Sequence, residues 1–349
     1  MNPQRDENTK PVSHSSVRAD PARLPEPGLP NHRNADLIDR IKQSADKLAD
    51  DGSSRGDLKL LSRTLRELRY AFKVFAPFRR RRKVTVFGSA RTPEEHPAYR
   101  QAVSFGQQMA EREWLVVTGA AAGIMEAGHR GAGRDHSMGL NIMLPFEQEA
   151  NPIIAGDHKL VHMKYFFTRK VMFVKECDAV VCLPGGFGTL DEALEVLTLL
   201  QTGKRDMVPV VLLDEPGGTY WNSLDRFIRE HLLQGSMISP EDLALYCVTD
   251  SCEQAVAEVL NFFRVFHSMR YVRDQLVLRL KNPLTAPQLA AINEQFSDIL
   301  VSGRFQQSAA LDEEKSEPDL LDLSRLVFAF DRRSAGRLRH LIDHLNGLV

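Results

Sequence analysis

Cysteine is almost missing from this sequence: there are 4 in 349 residues, at positions 177, 182, 247 and 252. So few thiols exclude a disulfide-stapled scaffold and predict reduced cysteines in the cytoplasm. The two C-x4-C spacings look metal-like only until their surroundings are read. Cys182 lies inside the apolar run Ala179–Leu183 and Cys177 closes a helical segment, so no metal site is expected. An excess of charge of one sign is missing too. Lys plus Arg number 45 against 46 Asp plus Glu, a formal net charge of −1, so the chain as a whole has no electrostatic pull toward nucleic acid or an anionic membrane. Long apolar runs are also absent. Nothing approaches the ~18 residues that would span a bilayer, and no N-terminal segment joins a basic stretch to an apolar one. A soluble cytoplasmic protein with no membrane partner is expected.

What is present is ordinary globular composition, 43% hydrophobic and 26% charged, distributed unevenly. Residues 1–56 are rich in Pro, Ser, Asn, Asp and Arg and predict disorder, with a short helix near 35–50. Residues 57–83 carry ten basic and two acidic side chains. Leu61, Leu65, Leu68, Phe72 and Phe75 recur there at helical spacing, which predicts an amphipathic helix running into Arg79–Lys83. An anion or nucleic-acid contact is one reading of that segment. A solvated basic edge leading into the first strand is the simpler one.

From Val84 apolar strands alternate with helices: strands at 84–87, 114–118, 137–144, 159–162, 179–183, 208–213 and 245–248, with helices between them. That alternation predicts a Rossmann-like, doubly wound α/β fold over 84–266, with a parallel sheet covered on both faces. Ligands then lie beyond the carboxyl ends of the strands, at the glycine turns beginning at Gly88, Gly119 and Gly185. Residues 267–349 lack glycine turns and are expected to form a helical C-terminal extension.

The strongest local signal is Pro184-Gly185-Gly186-Phe187-Gly188-Thr189-Leu190-Asp191-Glu192, where a strand becomes a helix. Glycines let the backbone N–H groups face one concavity, and the helix adds the positive end of its dipole. A phosphate suits this place, with the Thr189 hydroxyl as a further donor. The loop is neither a dinucleotide G-x-G-x-x-G nor a P-loop, which favours a mononucleotide. Glu192 sits near the first turn of the helix, where it can orient water or act as a base. Arg169 and Lys170 are adjacent on the preceding helix, about 100° apart, so one of them at most faces the site.

Together these segments resemble the Lonely Guy (LOG) family, whose members are often mislabelled lysine decarboxylases. The resemblance rests on V-F-G-S-A-R at 86–91, T-G-x-x-x-G-I-M-E-A at 118–127, G-L-N-I-x-L-P-F-E-Q at 139–148, Y-F-F-x-R-K-x-M-F at 165–173 and P-G-G-F-G-T-L-D-E at 184–192. It implies hydrolysis of the N-glycosidic bond of a nucleoside 5′-monophosphate, AMP or an N6-substituted cytokinin nucleotide, to free base and ribose 5-phosphate, with no cofactor. By that resemblance Arg169 and Glu192 are catalytic. Gly185, Gly186, Gly188 and Thr189 hold the phosphate, and Gly88, Ser89, Gly119, Gly123, Met125 and Lys170 complete the substrate site. Met125, Met143 and Phe187 are candidates to line the base pocket, and Asn141 and Glu126 to assist the leaving group. The family also implies a homodimer or higher oligomer.

One departure stands out. Where the family usually carries a glycine run, this chain has Gly119-Ala120-Ala121-Ala122-Gly123. A methyl group at a position of positive φ costs about 1 kcal/mol. A non-catalytic nucleotide or cofactor carrier on the same fold is therefore the alternative expectation.

Overall fold

The apolar runs pair into a single parallel sheet. In the computed structural model, which describes residues 34–144 and 149–348, two helices come first, α1 (Ala35–Lys47) and α2 (Arg55–Phe75). The alternating part follows: β1 (Lys83–Phe87), α3 (Pro97–Ala110), β2 (Leu115–Thr118), α4 (Ile124–His136), β3 (Ser137–Ile142), β4 (Leu160–Met163), α5 (Phe166–Glu176) and β5 (Ala179–Cys182). It continues with α6 (Phe187–Gln201), β6 (Val210–Leu213), α7 (Tyr220–Phe227), β7 (Cys247–Thr249) and α8 (Cys252–Phe262). The strand order is β4-β3-β2-β1-β5-β6-β7, every pair parallel. β1, β2, β3, β5 and β6 are buried at every position. They need this continuous apolar character because helices cover both faces of the sheet. The order reverses between β1 and β5, which makes the ends of those two strands the topological switch point.

The chain divides into two compact units, one ending at Leu60 and one running from Leu61. In the first, α1 occupies the place of the short helix expected near 35–50 and buries none of its side chains. Residues 1–33, expected to be disordered, lie outside the described residues, as does the end of the 139–148 motif at 145–148. No described helix is long and apolar enough to cross a membrane.

The expected helical extension over 267–349 is corrected by the structure. β8 (Phe266–Val272) and β9 (Gln275–Leu280) form a hairpin; then come α9 (Ala286–Gln295), β10 (Leu300–Ser308), β11 (Ser324–Phe330) and α10 (Ala335–Gly347). The four strands make an antiparallel sheet in the order β10-β11-β9-β8. The hairpin is hard to read because its two-residue turn, Arg273-Asp274, contains no Gly, Asn or Pro; Arg273 itself adopts the left-handed φ of 54°. The central pairing of β9 with β11 joins segments far apart in sequence, which no local periodicity reports.

The acidic segment 312–319 carries a buried carboxylate. Glu314 is fully buried, accepting hydrogen bonds from Arg279 Nε at 2.7 Å and Arg325 Nε at 3.0 Å. Arg279 and Arg325 are direct cross-strand partners. Two adjacent buried cations repel unless an anion lies between them, and Glu314 supplies it. Burial alone would raise its carboxyl, but hydrogen bonds from Arg325, the Leu311 amide and Arg279 hold it below the ordinary carboxylate value.

Candidate active site

A cavity of about 810 Å³ lies at the switch point, bounded by the loops that follow β1, β2 and β5. Ten of the expected site residues line it: Gly88, Ser89, Gly119, Met125, Arg169, Gly185, Gly186, Gly188, Thr189 and Glu192. Its floor is the start of α6. Among the described residues no side chain caps that helix at Gly186 and the Phe187 and Gly188 amides have no acceptor, so these N–H groups and the helix dipole are available to an anion. Gly185 must be glycine: a Cβ there would lie 2.2 Å from Thr189 Oγ1 and 3.0 Å from the Ser89 amide nitrogen. The loops after β1 and β5 thus touch at that residue, and the Ser89 amide also donates to the Pro184 carbonyl at 3.1 Å.

Two expected binding residues take other places. Gly123, at φ 63°, approaches the β1 loop so closely that a Cβ would sit 2.3 Å from the Ser89 carbonyl oxygen; it is a packing joint rather than part of the cavity wall. Lys170 does not line the cavity either. Its Nζ lies 2.9 Å from Asp191 and 3.7 Å from Glu192 and bonds Glu195, tying α5 to α6. Burial works against its charge, but Glu195, Asp191 and Glu192 together raise its pKa above the ordinary lysine value. Met143 and Glu126 do not line the cavity, whereas Phe187 does and is 92% exposed at its mouth.

Arg169 and Glu192 supply the charge. The Arg169 guanidinium lies over the rings of Phe166 and Phe173 at 5.1 and 5.6 Å, has no carboxylate within 4 Å among the described residues, and leaves its buried Nε without a partner. An unpaired buried donor of this kind is costly, and an anionic ligand would satisfy it. Burial lowers its pKa, partly offset by Glu192 and Asp191. Glu192 is 5% exposed. Desolvation pushes its carboxyl up to about 7, with Lys170 and Arg169 pulling the other way. Burial therefore outweighs the nearby cations and poises Glu192 near neutrality. Asn141, also on the wall, has its side-chain oxygen buried without a partner among the described residues.

The alanine run is accommodated by a network that the sequence does not announce. Ala120 alone of the three alanines is left-handed, at φ 59°, and its methyl is fully buried with Ile154 and Leu160. Its amide donates to Thr118 Oγ1 at 2.9 Å, and its carbonyl accepts from the Asn151 amide at 2.8 Å. Asn151 Nδ2 also donates to the Ala121 carbonyl at 3.1 Å. Behind them is fully buried His129. Its Nε2 lies 3.0 Å from the Met138 carbonyl, which can only accept, so Nε2 carries the proton and Nδ1 accepts from Asn151 Nδ2 at 3.2 Å. Burial drives the His129 pKa down to about 4, keeping the ring neutral. Ala121 faces the cavity without closing it.

Sequence reading also missed Tyr220. Its hydroxyl donates to the Gly185 carbonyl at 2.6 Å from the start of α7, a helix that carries no recognisable motif.

A family model described as "Possible lysine decarboxylase" matches residues 117–259. Among solved structures, the molybdenum cofactor carrier protein of Chlamydomonas reinhardtii is 22% identical with a TM-score of 0.38, covering 52% of this chain and 97% of that one. The cytokinin riboside 5′-monophosphate phosphoribohydrolase LOG7 of Arabidopsis thaliana is 37% identical over 150 residues, 41% of this chain and 65% of that relative, so this chain spans somewhat less than two thirds of its length. A second Arabidopsis thaliana enzyme of the same description, LOG3, is 35% identical over 164 residues, 46% of this chain and 73% of the relative. With identity at that level across nearly three quarters of a relative, the chain belongs to the LOG family.

Proposed function

We propose that the protein hydrolyses the N-glycosidic bond of a nucleoside 5′-monophosphate, AMP or an N6-substituted, cytokinin-type nucleotide, giving free base and ribose 5-phosphate. The observation that carries this reading is the placement of poised Glu192 and unpaired Arg169 around a cavity floored by an uncapped glycine-loop helix. The 5′-phosphate seats on the Gly186–Gly188 amides and Thr189. The ribose then lies beside Glu192, and the base extends toward Met125 and Asn141. As the bond from the anomeric carbon to the base nitrogen breaks, positive charge develops on the ribose. Ionised Glu192 stabilises that charge and orients the water whose oxygen bonds to the anomeric carbon, while a proton passes to the departing base. Arg169 binds phosphate or ribose hydroxyls and favours the ionised state of Glu192.

Amine chemistry of the decarboxylase kind has little support. Among the described residues no lysine lines the cavity, and the nearby Lys170 amine is held as a cation by its carboxylate neighbours. We also propose that two copies associate through exposed apolar side chains, Leu61 and Leu65 of α2, Phe167 and Val171 of α5, and Leu194 of α6, all 43–54% exposed. A reducing, cytoplasmic setting suits the four free cysteines.

Chromatography of purified protein with AMP, GMP, CMP and isopentenyladenosine monophosphate tests the reaction. Release of base and ribose 5-phosphate from at least one of them is expected. Binding without release from any of them would identify a nucleotide carrier instead.

A further inference from the structure

A second cavity, of about 220 Å³, opens at the other end of β5 from the catalytic cleft. Cys177 and Asp178, which precede β5, form one wall; Arg205 to Val208, leading into β6, form another; Phe266 to Met269 of β8 close it. The lining divides between carbon surface and charge. Arg82, the penultimate residue of the basic run 79–83, enters here, stacked at 3.9 Å on Phe263 and paired with Asp178 at 2.7 Å. Lys175 is also in the wall, paired with Glu176.

Arg205 is different. It has no carboxylate within 4 Å among the described residues, one guanidinium nitrogen bonds the Cys177 carbonyl, and its buried Nε has no partner. Asp206 likewise has no ion pair among the described residues. Burial first, and then the charges of Arg82, Lys281 and Arg279, drive His267 in this wall down to about 4.

We propose that this cavity is a second binding site, for a small phosphate monoester of about pentose-phosphate size. Arg205 supplies the forked donor that matches a phosphate, and Arg82 and Lys175 add charge. The unpaired Asp206 carboxylate accepts from sugar hydroxyls, and Met207 and Met269 lie against the carbon skeleton. Arg82, which also donates to the His267 carbonyl at 2.7 Å, ties the wall together around that ligand. The site also places a ligand at one end of the strand whose other end carries the glycine loop.

The test is isothermal titration of the full chain with inorganic phosphate and with ribose 5-phosphate. Two binding events per chain are expected. Arg205→Met should remove one while AMP turnover persists, and Thr189→Val should weaken the other. Arg205→Lys, which keeps the charge and loses the fork, should weaken the first event about tenfold and guards against a misfolded methionine variant. A single wild-type event that Thr189→Val removes, or two events undiminished in both Arg205 variants, would overturn the proposal. Cleavage is scored separately, so a protein that binds two equivalents and cleaves no nucleotide defeats the catalytic reading and retains this one.

Discussion

The Tyr220 hydroxyl donates a 2.6 Å hydrogen bond to the carbonyl oxygen of Gly185, the first glycine of the phosphate loop. In a trans peptide the C=O and the following N–H point in opposite directions, so fixing the Gly185 carbonyl also fixes the direction of the Gly186 N–H. Tyr220 is itself held from beneath. Next to it, fully buried Trp221 donates from Nε1 to the Leu213 carbonyl at the end of β6, and its amide bonds Asp214. Tyr220→Phe removes one hydrogen bond, worth about 1 kcal/mol. KM for AMP should rise about fivefold with kcat nearly unchanged, and inorganic phosphate should inhibit more weakly. A lowered melting temperature with unchanged KM would assign Tyr220 to stability alone.

Glu192 sets the pH dependence. With its carboxyl pushed up to about 7, the ionised form that the mechanism uses is scarce at pH 5.5 and predominant at pH 8.5. Thus kcat/KM for AMP should rise through about pH 7 and level off above it. Folding linkage has a matching sign. A carboxyl whose folded pKa exceeds its unfolded value costs stability as pH rises above the unfolded pKa, here by about 3 kcal/mol once ionisation is complete. Glu192→Gln should therefore stabilise the protein above pH 7 and make little difference near pH 4, as measured by urea denaturation at both values.

The left-handed Ala120 carries a backbone cost of about 1 kcal/mol, offset by the burial of its methyl against Ile154 and Leu160. Ala120→Gly exchanges one term for the other. Stability should change by less than about 1 kcal/mol and AMP turnover by less than twofold. A large gain of activity in this variant would show that the alanine run impairs the site.

Glu314 is the keystone of the antiparallel sheet. Removing it leaves Arg279 and Arg325 buried side by side, so Glu314→Ala should cost about 3–5 kcal/mol in denaturant unfolding. Its depressed pKa gives stability that is present above the ordinary glutamate value and lost as pH falls through the folded one. The wild type should accordingly lose stability in acid more steeply than the Glu314→Ala variant.

The parallel sheet and the glycine loops are legible in the sequence because each is specified locally. Buried strands read as apolar runs, and Gly185 is fixed by a contact with Thr189 four residues on. Tyr220 and Asn151 are not legible, since each acts on a loop distant in sequence, and His129 is hidden because it acts on the alanine run only through Asn151; none lies in a motif. The second sheet is hidden for the same reason. Its centre pairs β9 with β11, and the only local mark of its hairpin is an arginine in a conformation that usually selects glycine. Lys170 shows the limit of reading a cation beside a catalytic arginine: three carboxylates on α6 claim it before a ligand can.

The central claim is that Glu192 drives cleavage of the glycosidic bond. The most direct measurement is quantification of free adenine released from AMP by the wild type and by Glu192→Ala, alongside AMP binding by both. The account predicts adenine from the wild type, a loss of at least about 100-fold in the variant, and AMP affinity largely retained. Adenine release by Glu192→Ala at the wild-type rate would contradict it.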